Sequence, residues 1–231
     1  MLCDLMSGTG VLGRPASFYR PESIPDRAAQ LGINHEPGSE EFERPYLAAI
    51  RKEGSDATGT FGLRLMWETI EDLRDRLSPL FPDQQNDADL FECAFGHPLY
   101  IHLVREDKVA QAVSLVRAKQ SGQWHLASDG TVRQGAMDPS PITYDVQAIE
   151  QEIASLSSDD AAWEKWFAAQ RLSPVQVTYE ELANSPAAVI AALLRALGCD
   201  PTIAQSVAPL TSKMADDESR QWADRYRQGS H

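Results

Sequence analysis

The sequence has few cysteines, no long apolar run and a shortage of positive charge, and each shortage excludes a class of protein. There are three cysteines, Cys3, Cys93 and Cys199. Their wide spacing excludes a disulfide framework and a zinc site with paired ligands. No apolar run approaches the roughly 18–20 residues that span a bilayer. The start of the chain lacks the basic residues of a signal peptide. We therefore expect a cytoplasmic protein with no membrane span and no metal site.

Positive charge is scarce, because 21 Lys and Arg residues stand against 34 Asp and Glu residues, for a formal net charge of −13. Binding to nucleic acid needs a basic face that neutralises phosphates, so this balance excludes a general nucleic-acid binder. An anionic small ligand needs only a local cluster of positive charge. The 42% hydrophobic and 24% charged residues over 231 positions are typical of a globular protein. We expect residues 1–231 to form a single domain.

Short apolar segments alternate with helical patterns along the chain. Residues 99–104 and 174–178 have the apolar character of buried strands, and residues 58–66 alternate as a third strand would. Apolar residues with helical spacing are found in 24–31, 42–50, 67–77, 107–120, 144–172, 186–197 and 221–228. Strands that alternate with helices predict an α/β fold with a mostly parallel central sheet.

Glycines at 8, 10 and 13 match the G-x-G-x-x-G pattern of dinucleotide-binding proteins in spacing alone. That pattern needs a strand before it and a helix after it. Here only a few residues precede it and Arg14 and Pro15 follow it, so neither condition holds. A P-loop would need a Lys and a Ser or Thr at these two positions, which also argues against a nucleoside-type kinase. We predict a turn after a first helix.

The segment 105–119 is predicted to be a turn and a helix directly after the strand 99–104. Free backbone N–H groups at the helix start would face the carboxyl edge of the sheet, where anions bind. Arg105 lies in the turn and Ser114 lies two turns into the helix. Further positive charge comes from Lys108, Arg117 and Lys119. The segment is therefore either a local phosphate pocket or an ordinary solvated helix face.

Residues 100–115 resemble the 3′-phosphate-binding segment of sulfotransferases, most closely that of the bacterial family typified by trehalose 2-sulfotransferase. Further blocks follow the order found in that family, at 8–19, 62–67, 117–120, 163–167, 177–182 and 222–227. The resemblance spans nearly the whole chain, and the shared order of the blocks makes it specific.

The resemblance implies a P-loop-type three-layer fold and a sulfuryl donor, 3′-phosphoadenosine 5′-phosphosulfate (PAPS). The acceptor would be a sugar hydroxyl, as in trehalose, no metal would be needed, and the protein would form a homodimer, as members often do. Carried over by position, Arg105 and Ser114 would hold the donor's 3′-phosphate, and Lys213, before the last helix, would be a further donor-binding residue. Arginine and serine suit this role because both donate hydrogen bonds to phosphate oxygens.

One departure from the family concerns the start of the chain. The family begins with a strand and a loop that binds the 5′-phosphosulfate, whereas this sequence starts at Met1, just beyond the position of that loop. The resemblance thus implies that the N-terminal strand is missing. Two hypotheses follow: a sulfotransferase whose true start lies upstream, or a truncated, catalytically inactive protein that keeps a binding role.

A second departure concerns the acceptor side, where the family has a Glu as general base and this sequence has Ser17. A hydroxyl can orient a sugar, but it cannot accept a proton near neutral pH. The base would then be Glu22, Asp26 or a histidine. The candidate acceptor-binding residues are Arg14, Ser17 and Arg64.

Two adjacent carboxylates, Glu180 and Glu181, follow the predicted strand 174–178. Carboxylates at a strand end can act in catalysis. They are equally typical of the first turn of a helix, where negative charge is stabilised by the helix dipole. Both interpretations stay open from the sequence.

Overall fold

The computed structural model describes residues 1–122, 142–207 and 217–229, together with the backbone of 125–126 and 132–134. Helices dominate this part of the chain. The first five are α1 (Leu2–Thr9), α2 (Ile24–Gln30), α3 (Glu40–Gly54), α4 (Ile70–Leu77) and α5 (Asp87–Phe95). The remaining five are α6 (Lys108–Ser121), α7 (Val146–Ala169), α8 (Tyr179–Asn184), α9 (Pro186–Ala196) and α10 (Asp217–Arg227).

The strands form two small sheets in the described residues. Strands β1 (Ile101–Val104) and β4 (Val175–Thr178) are parallel, with Val104 opposite Thr178. Strands β2 (His125–Leu126) and β3 (Val132–Gln134) form an antiparallel pair. The α/β prediction is confirmed, because a small parallel sheet stands among helices and both of its strands lie within predicted segments.

The predicted strand 58–66 is wrong. In the described part of the chain, this segment makes two isolated bridges in place of a strand, one antiparallel to Ser55 and one parallel to Ala16. The carboxylate of Asp56 accepts hydrogen bonds from the backbone N–H and the hydroxyl of Thr58, at 2.8 and 2.6 Å. A side chain that bonds two residues ahead produces a turn, so the segment begins with a reversal that leaves little length for a ladder.

Helices pack on both faces of the parallel pair. On one face, Val175 and Val177 belong to an apolar cluster with residues of α1, α8 and α9. On the other face, the ring of His102 lies 5.3 Å from the ring of Phe167 in α7, measured between centroids. Since both strands run in the same direction and stay in register to their ends, residues 105 and 179 emerge side by side at the carboxyl edge.

The ends of several helices confirm their sequence signals. Helix α9 begins at Pro186, and Gly198, with φ of 71°, follows its end. Helix α1 is ended by Gly10 in a left-handed conformation with φ of 70°. The glycines at 8–13 therefore form the predicted turn after a first helix.

Candidate functional site

Arg105 is the first residue after β1, and its guanidinium lies over the ring of Tyr179, the first residue after β4. The guanidinium carbon is 4.5 Å from the ring centroid, a distance that gives a cation–π attraction. In the part of the chain that the structure describes, the Nε atom of Arg105 is buried and has no hydrogen-bond acceptor. Among the described residues, no carboxylate forms a salt bridge with Arg105. A charged donor is thus held at the sheet edge without an anionic partner from the described ranges.

The backbone N–H groups beside Arg105 are not free, contrary to the expectation from the sequence. Asp107 accepts a hydrogen bond from the N–H of Ala110 at 3.0 Å and caps α6. Glu180 accepts from the N–H groups of Glu106 and Asp107, at 3.2 and 3.3 Å. Carboxylates therefore satisfy the amides to which the sequence pattern assigned a phosphate.

The pKa directions agree with this arrangement. Burial alone would raise the pKa of Glu180, but hydrogen bonds from backbone N–H groups and the positive charge of Arg105 outweigh it and lower the pKa. For Asp107, burial would also raise the pKa. The hydrogen bond from the Ala110 N–H and the contact with Arg227 outweigh burial, so the pKa of Asp107 is lowered too. Both carboxylates are therefore ionised at neutral pH.

Ser114 lines a hollow of about 200 Å³ between α6 and α10. Its walls include Asp107, Ser219 and Arg227, but Arg105 is not among its lining residues. Arg227 closes one end through two hydrogen bonds to the carboxylate of Asp107, at 2.7 and 2.8 Å. The structure therefore places Ser114 opposite α10, while Arg105 lies on the α8 side of the turn between β1 and α6.

The other basic residues of the segment 105–119 are neutralised. Each of them forms a salt bridge to a carboxylate of another helix: Lys108 with Asp160, Arg117 with Glu218, and Lys119 with Glu152. The cluster of positive charge that the sequence suggested is thus paired, and this segment keeps Arg105 as its cation without a described carboxylate partner. Lys213, the third predicted donor-binding residue, lies outside the described residues.

The three candidate acceptor-binding residues are brought together by backbone pairing. The N–H of Arg64 donates to the carbonyl of Ala16 at 3.0 Å, and a parallel bridge joins Ala16 to Leu63. The N–H of Arg14 donates to the carbonyl of Gly54 at 2.8 Å. These contacts place Arg14, Ser17 and Arg64 on neighbouring segments.

The side chains of these three residues are available for a ligand. Arg14 and Arg64 are exposed, and neither forms a salt bridge with a carboxylate in the described residues. The hydroxyl of Ser17 makes no hydrogen bond within the same part of the chain. Glu22, one of the predicted alternative bases, is exposed and paired with Arg20 at 3.1 Å.

Asp56 and two glycines, Gly13 and Gly62, hold residues 13–17 in place, and this role was not predicted from the sequence. The Oδ2 atom of Asp56 accepts a hydrogen bond from the N–H of Gly13 at 2.7 Å. A Cβ added to Gly62 would lie 2.7 Å from the backbone nitrogen of Pro15, and one added to Gly13 would lie 2.6 Å from the nitrogen of Gly62. The signal that was present is the Asp-x-Thr spacing at 56–58, which is typical of a side-chain-capped turn.

Neither a cluster of metal ligands nor a membrane-spanning helix occurs in the described residues. No group of three or more His, Cys, Asp or Glu side chains is placed so that it could hold a metal ion there. Of the helices in the described ranges, none is both long and apolar enough to cross a membrane.

Comparison with known proteins assigns a family. The model of the Stf0 sulphotransferase family matches residues 1–229. The trehalose 2-sulfotransferase of Mycobacterium tuberculosis (strain ATCC 35801 / TMC 107 / Erdman) is 30% identical over an alignment of 250 positions, which covers 98% of this chain and 89% of the relative. That of Mycolicibacterium smegmatis (strain ATCC 700084 / mc(2)155) is 32% identical over 187 residues, covering 80% of this chain and 66% of the relative. This chain belongs to the Stf0 sulphotransferase family.

Proposed function

We propose that this protein transfers a sulfuryl group from PAPS to a carbohydrate hydroxyl. Its family supports the sulfotransferase chemistry, and the two relatives named above, both trehalose 2-sulfotransferases, support a sugar acceptor of the trehalose type. When bound, PAPS supplies an activated sulfuryl group and leaves as adenosine 3′,5′-bisphosphate. The acceptor oxygen attacks sulfur in line with the departing phosphate.

The observation that carries the proposal is the guanidinium of Arg105, which has no carboxylate partner in residues 1–122, 142–207 and 217–229. The protein has a formal net charge of −13, so an arginine at the sheet edge has many carboxylates available to it. Arg105 instead lies on the Tyr179 ring, and its buried Nε–H has no acceptor in the described residues. A buried donor without an acceptor is costly, and an anionic ligand would supply one. The residue therefore suits the donor's 3′-phosphate.

Ser114 is the second proposed donor-binding residue. It is partly buried in α6 and faces the hollow against α10, which is open to a group the size of a phosphate. A hydroxyl donates one hydrogen bond to a phosphate oxygen and adds no charge. In this proposal Arg105 supplies the charge-assisted contact from the α8 side of the turn between β1 and α6, and Ser114 supplies the neutral one from the side that faces α10.

Arg14, Ser17 and Arg64 are proposed to bind the acceptor. The two guanidiniums and the hydroxyl are hydrogen-bond donors on adjacent segments, and a sugar offers a hydroxyl oxygen to each of them. Ser17 orients the acceptor in this proposal but does not remove its proton. Asp26 and the histidines stay predicted candidates for the base, together with Glu22 if its salt bridge to Arg20 opens.

Binding of adenosine 3′,5′-bisphosphate, measured by isothermal titration calorimetry, tests the donor site. We expect Arg105→Ala to weaken binding about 10- to 100-fold, because a hydrogen bond to a charged group contributes about 1.5–3 kcal/mol. Arg51→Ala is the matched control, since Arg51 is an exposed arginine of α3 with no salt bridge in the described residues. Equal affinity of wild type and Arg105→Ala would reject the donor-site assignment.

A non-catalytic binding protein is the second candidate function, and Ser17 at the position of the family's base favours it. Incubation with PAPS and trehalose, followed by mass spectrometry of the sugar, separates the two candidates. A sulfated sugar supports the enzyme. Tight binding of adenosine 3′,5′-bisphosphate without product from trehalose or other sugars supports the binding protein.

A further inference from the structure

Glu180 reaches away from its own helix, whereas its neighbour Glu181 does not. The carboxylate of Glu180 accepts hydrogen bonds from the N–H groups of Glu106 and Asp107, in the turn between β1 and α6. Glu181 accepts from the N–H of Thr178 at 3.1 Å, and its own N–H donates to the Thr178 hydroxyl at 3.1 Å. Glu181 therefore caps α8, which is the ordinary role of a first-turn carboxylate. Glu180 does not make these capping contacts, so capping does not explain it.

The parallel register explains how Glu180 can reach this turn. Val104 is opposite Thr178, so the residues that follow, Arg105 and Tyr179, leave the sheet side by side. The ring of Tyr179 lies under the guanidinium of Arg105 at 4.5 Å. The start of α8 thus makes two contacts with consecutive parts of the turn: a ring to the side chain of Arg105, and a carboxylate to the two amides that come next.

Glu180 approaches Arg105 without neutralising it. In the described residues the two side chains form no salt bridge, although the positive charge of Arg105 helps to lower the pKa of Glu180. The oxygens of Glu180 are directed to backbone N–H groups. This arrangement fixes the backbone that carries Arg105 and leaves its guanidinium free to bind an anion.

We propose that Glu180 is a positioning residue for Arg105. It holds the turn between β1 and α6 against α8, so that the guanidinium stays on the Tyr179 ring and faces the donor's 3′-phosphate. This inference rests on the proposed function, since it concerns the same donor site. Binding depends on the length of the Glu180 side chain, which lets its carboxylate contact the N–H groups of the turn. The negative charge of Glu180 does not help, because it repels an anionic ligand.

Reach and charge are separated by two conservative variants. Glu180→Asp keeps the charge but is one methylene shorter, so it loses the contacts with the two amides. Glu180→Gln keeps the length and one carbonyl acceptor but has no charge. A positioning role predicts that the Asp variant binds adenosine 3′,5′-bisphosphate about tenfold more weakly, because it loses roughly the contribution of one charge-assisted hydrogen bond. It also predicts that the Gln variant stays within about threefold of wild type. A purely electrostatic role predicts a change in the Gln variant and none in the Asp variant.

The experiment is isothermal titration calorimetry of the full chain with adenosine 3′,5′-bisphosphate, on folded variants checked by circular dichroism. Glu181→Asp is the matched control and should bind as wild type does. In an Arg105→Ala background, Glu180→Asp should cause no further loss, because a positioning residue acts through the residue it positions. Should Glu180→Asp not fold, the Gln variant carries the test, and a loss of more than about tenfold in it overturns the inference.

Failure of this inference is distinguishable from failure of the proposed function. If Arg105→Ala weakens binding but Glu180→Asp does not, the positioning role alone is rejected. If Glu180→Asp weakens binding equally with and without Arg105, the role is rejected as well, because the effect is then independent of Arg105. If Arg105→Ala itself has no effect, the donor-site assignment and this inference fall together.

Discussion

The two halves of the candidate site, the proposed donor side around Arg105 and the proposed acceptor side around residues 13–17, are held by different forces. On the donor side, charged groups fix the turn between β1 and α6: Glu180 bonds its amides and Arg227 pairs with Asp107. On the acceptor side, close backbone packing fixes residues 13–17, since Gly13 and Gly62 lie where a side chain would collide. We expect the donor side to respond to pH and salt, and the acceptor side to respond to the volume of side chains.

The difference follows from what each half must leave open. In the proposed function, donor binding needs an arginine that no carboxylate neutralises, and the described carboxylates around Arg105 bond backbone amides and Arg227. The proposed acceptor binding needs three side chains on adjacent segments, which requires two backbones to approach closely. Glycine allows that approach because it has no Cβ. Four variants break or sharpen the comparison, in order of decreasing expected effect.

Gly62→Ala should have the largest effect on stability. Its new Cβ would lie 2.7 Å from the backbone nitrogen and 2.7 Å from the Cγ of Pro15, so the acceptor segment must move. We expect the free energy of unfolding to fall by about 3 kcal/mol, the upper part of the range for overpacking. Urea denaturation followed by circular dichroism measures it.

Gly8→Ala serves as the control for this substitution. A Cβ on Gly8 in α1 meets the side chain of Val207 at 3.1 Å and, among the described residues outside its own helix, no backbone atom within 4 Å. Alanine also favours the helix, so we expect a change of less than about 1 kcal/mol in either direction. Equal losses in the two variants would show that close backbone approach is not what holds the acceptor side.

Asp56→Ala should have an intermediate effect. It removes the acceptor for the N–H of the buried Gly13 and for Thr58, and we expect a loss of about 1.5 kcal/mol in the free energy of unfolding. Burial would raise the pKa of Asp56, but hydrogen bonds from Thr58 and Gly13 outweigh burial. The pKa of Asp56 is therefore lowered from its ordinary value of 3.8. Its contribution is therefore present above pH 3.8 and lost as the pH falls through the folded-state value. Urea denaturation at pH 7 measures it, and a wild-type free energy of unfolding there would contradict this role.

Arg227→Ala should have a small effect that depends on salt. The pair with Asp107 is exposed on both sides, so we expect a loss of about 0.5 kcal/mol at low ionic strength. Salt screens exposed charges, so the difference from wild type should shrink when thermal unfolding is repeated in about 1 M NaCl. A difference that does not change with salt would mean that Arg227 contributes through packing.

Glu180→Gln should show the smallest stability effect, visible in its pH dependence. The folded-state pKa of Glu180 is lowered below 4.5, so its ionised form stabilises the fold above pH 4.5 and that contribution is lost as the pH falls through the folded value. Thermal unfolding of wild type and variant should therefore differ most near neutral pH and converge in acid. Parallel curves across this range would contradict the role of its charge in the turn.

The sequence predicted the parts of the fold that depend on local pattern. Apolar segments predicted β1 and β4, and proline and glycine at the ends of α9 predicted its limits, because these signals act within a few residues. The strand 58–66 was predicted wrongly, since alternation alone does not register the turn that Asp56 makes. The single domain, the homodimer and the cytoplasmic location stay predictions.

The site was predicted less completely than the fold. The residues that would bind ligands, Arg105, Ser114, Arg14, Ser17 and Arg64, came from their positions in blocks that resemble a family. The contacts that Glu180 and Asp56 make to hold them were not predicted, because the partners lie 73 or 74 and 43 positions away in the chain. A carboxylate that bonds a distant amide has no periodic signal.

The sequence by itself determined the family, the α/β class and the segments that carry the cations, because motif order and apolar spacing are properties of neighbouring residues. Only the tertiary structure decided which cations stay without a carboxylate partner. Lys108, Arg117 and Lys119 meet acidic side chains of other helices, whereas Arg105 meets the ring of Tyr179. Charge pairing depends on distance in space, and the parallel register of β1 and β4 sets that distance.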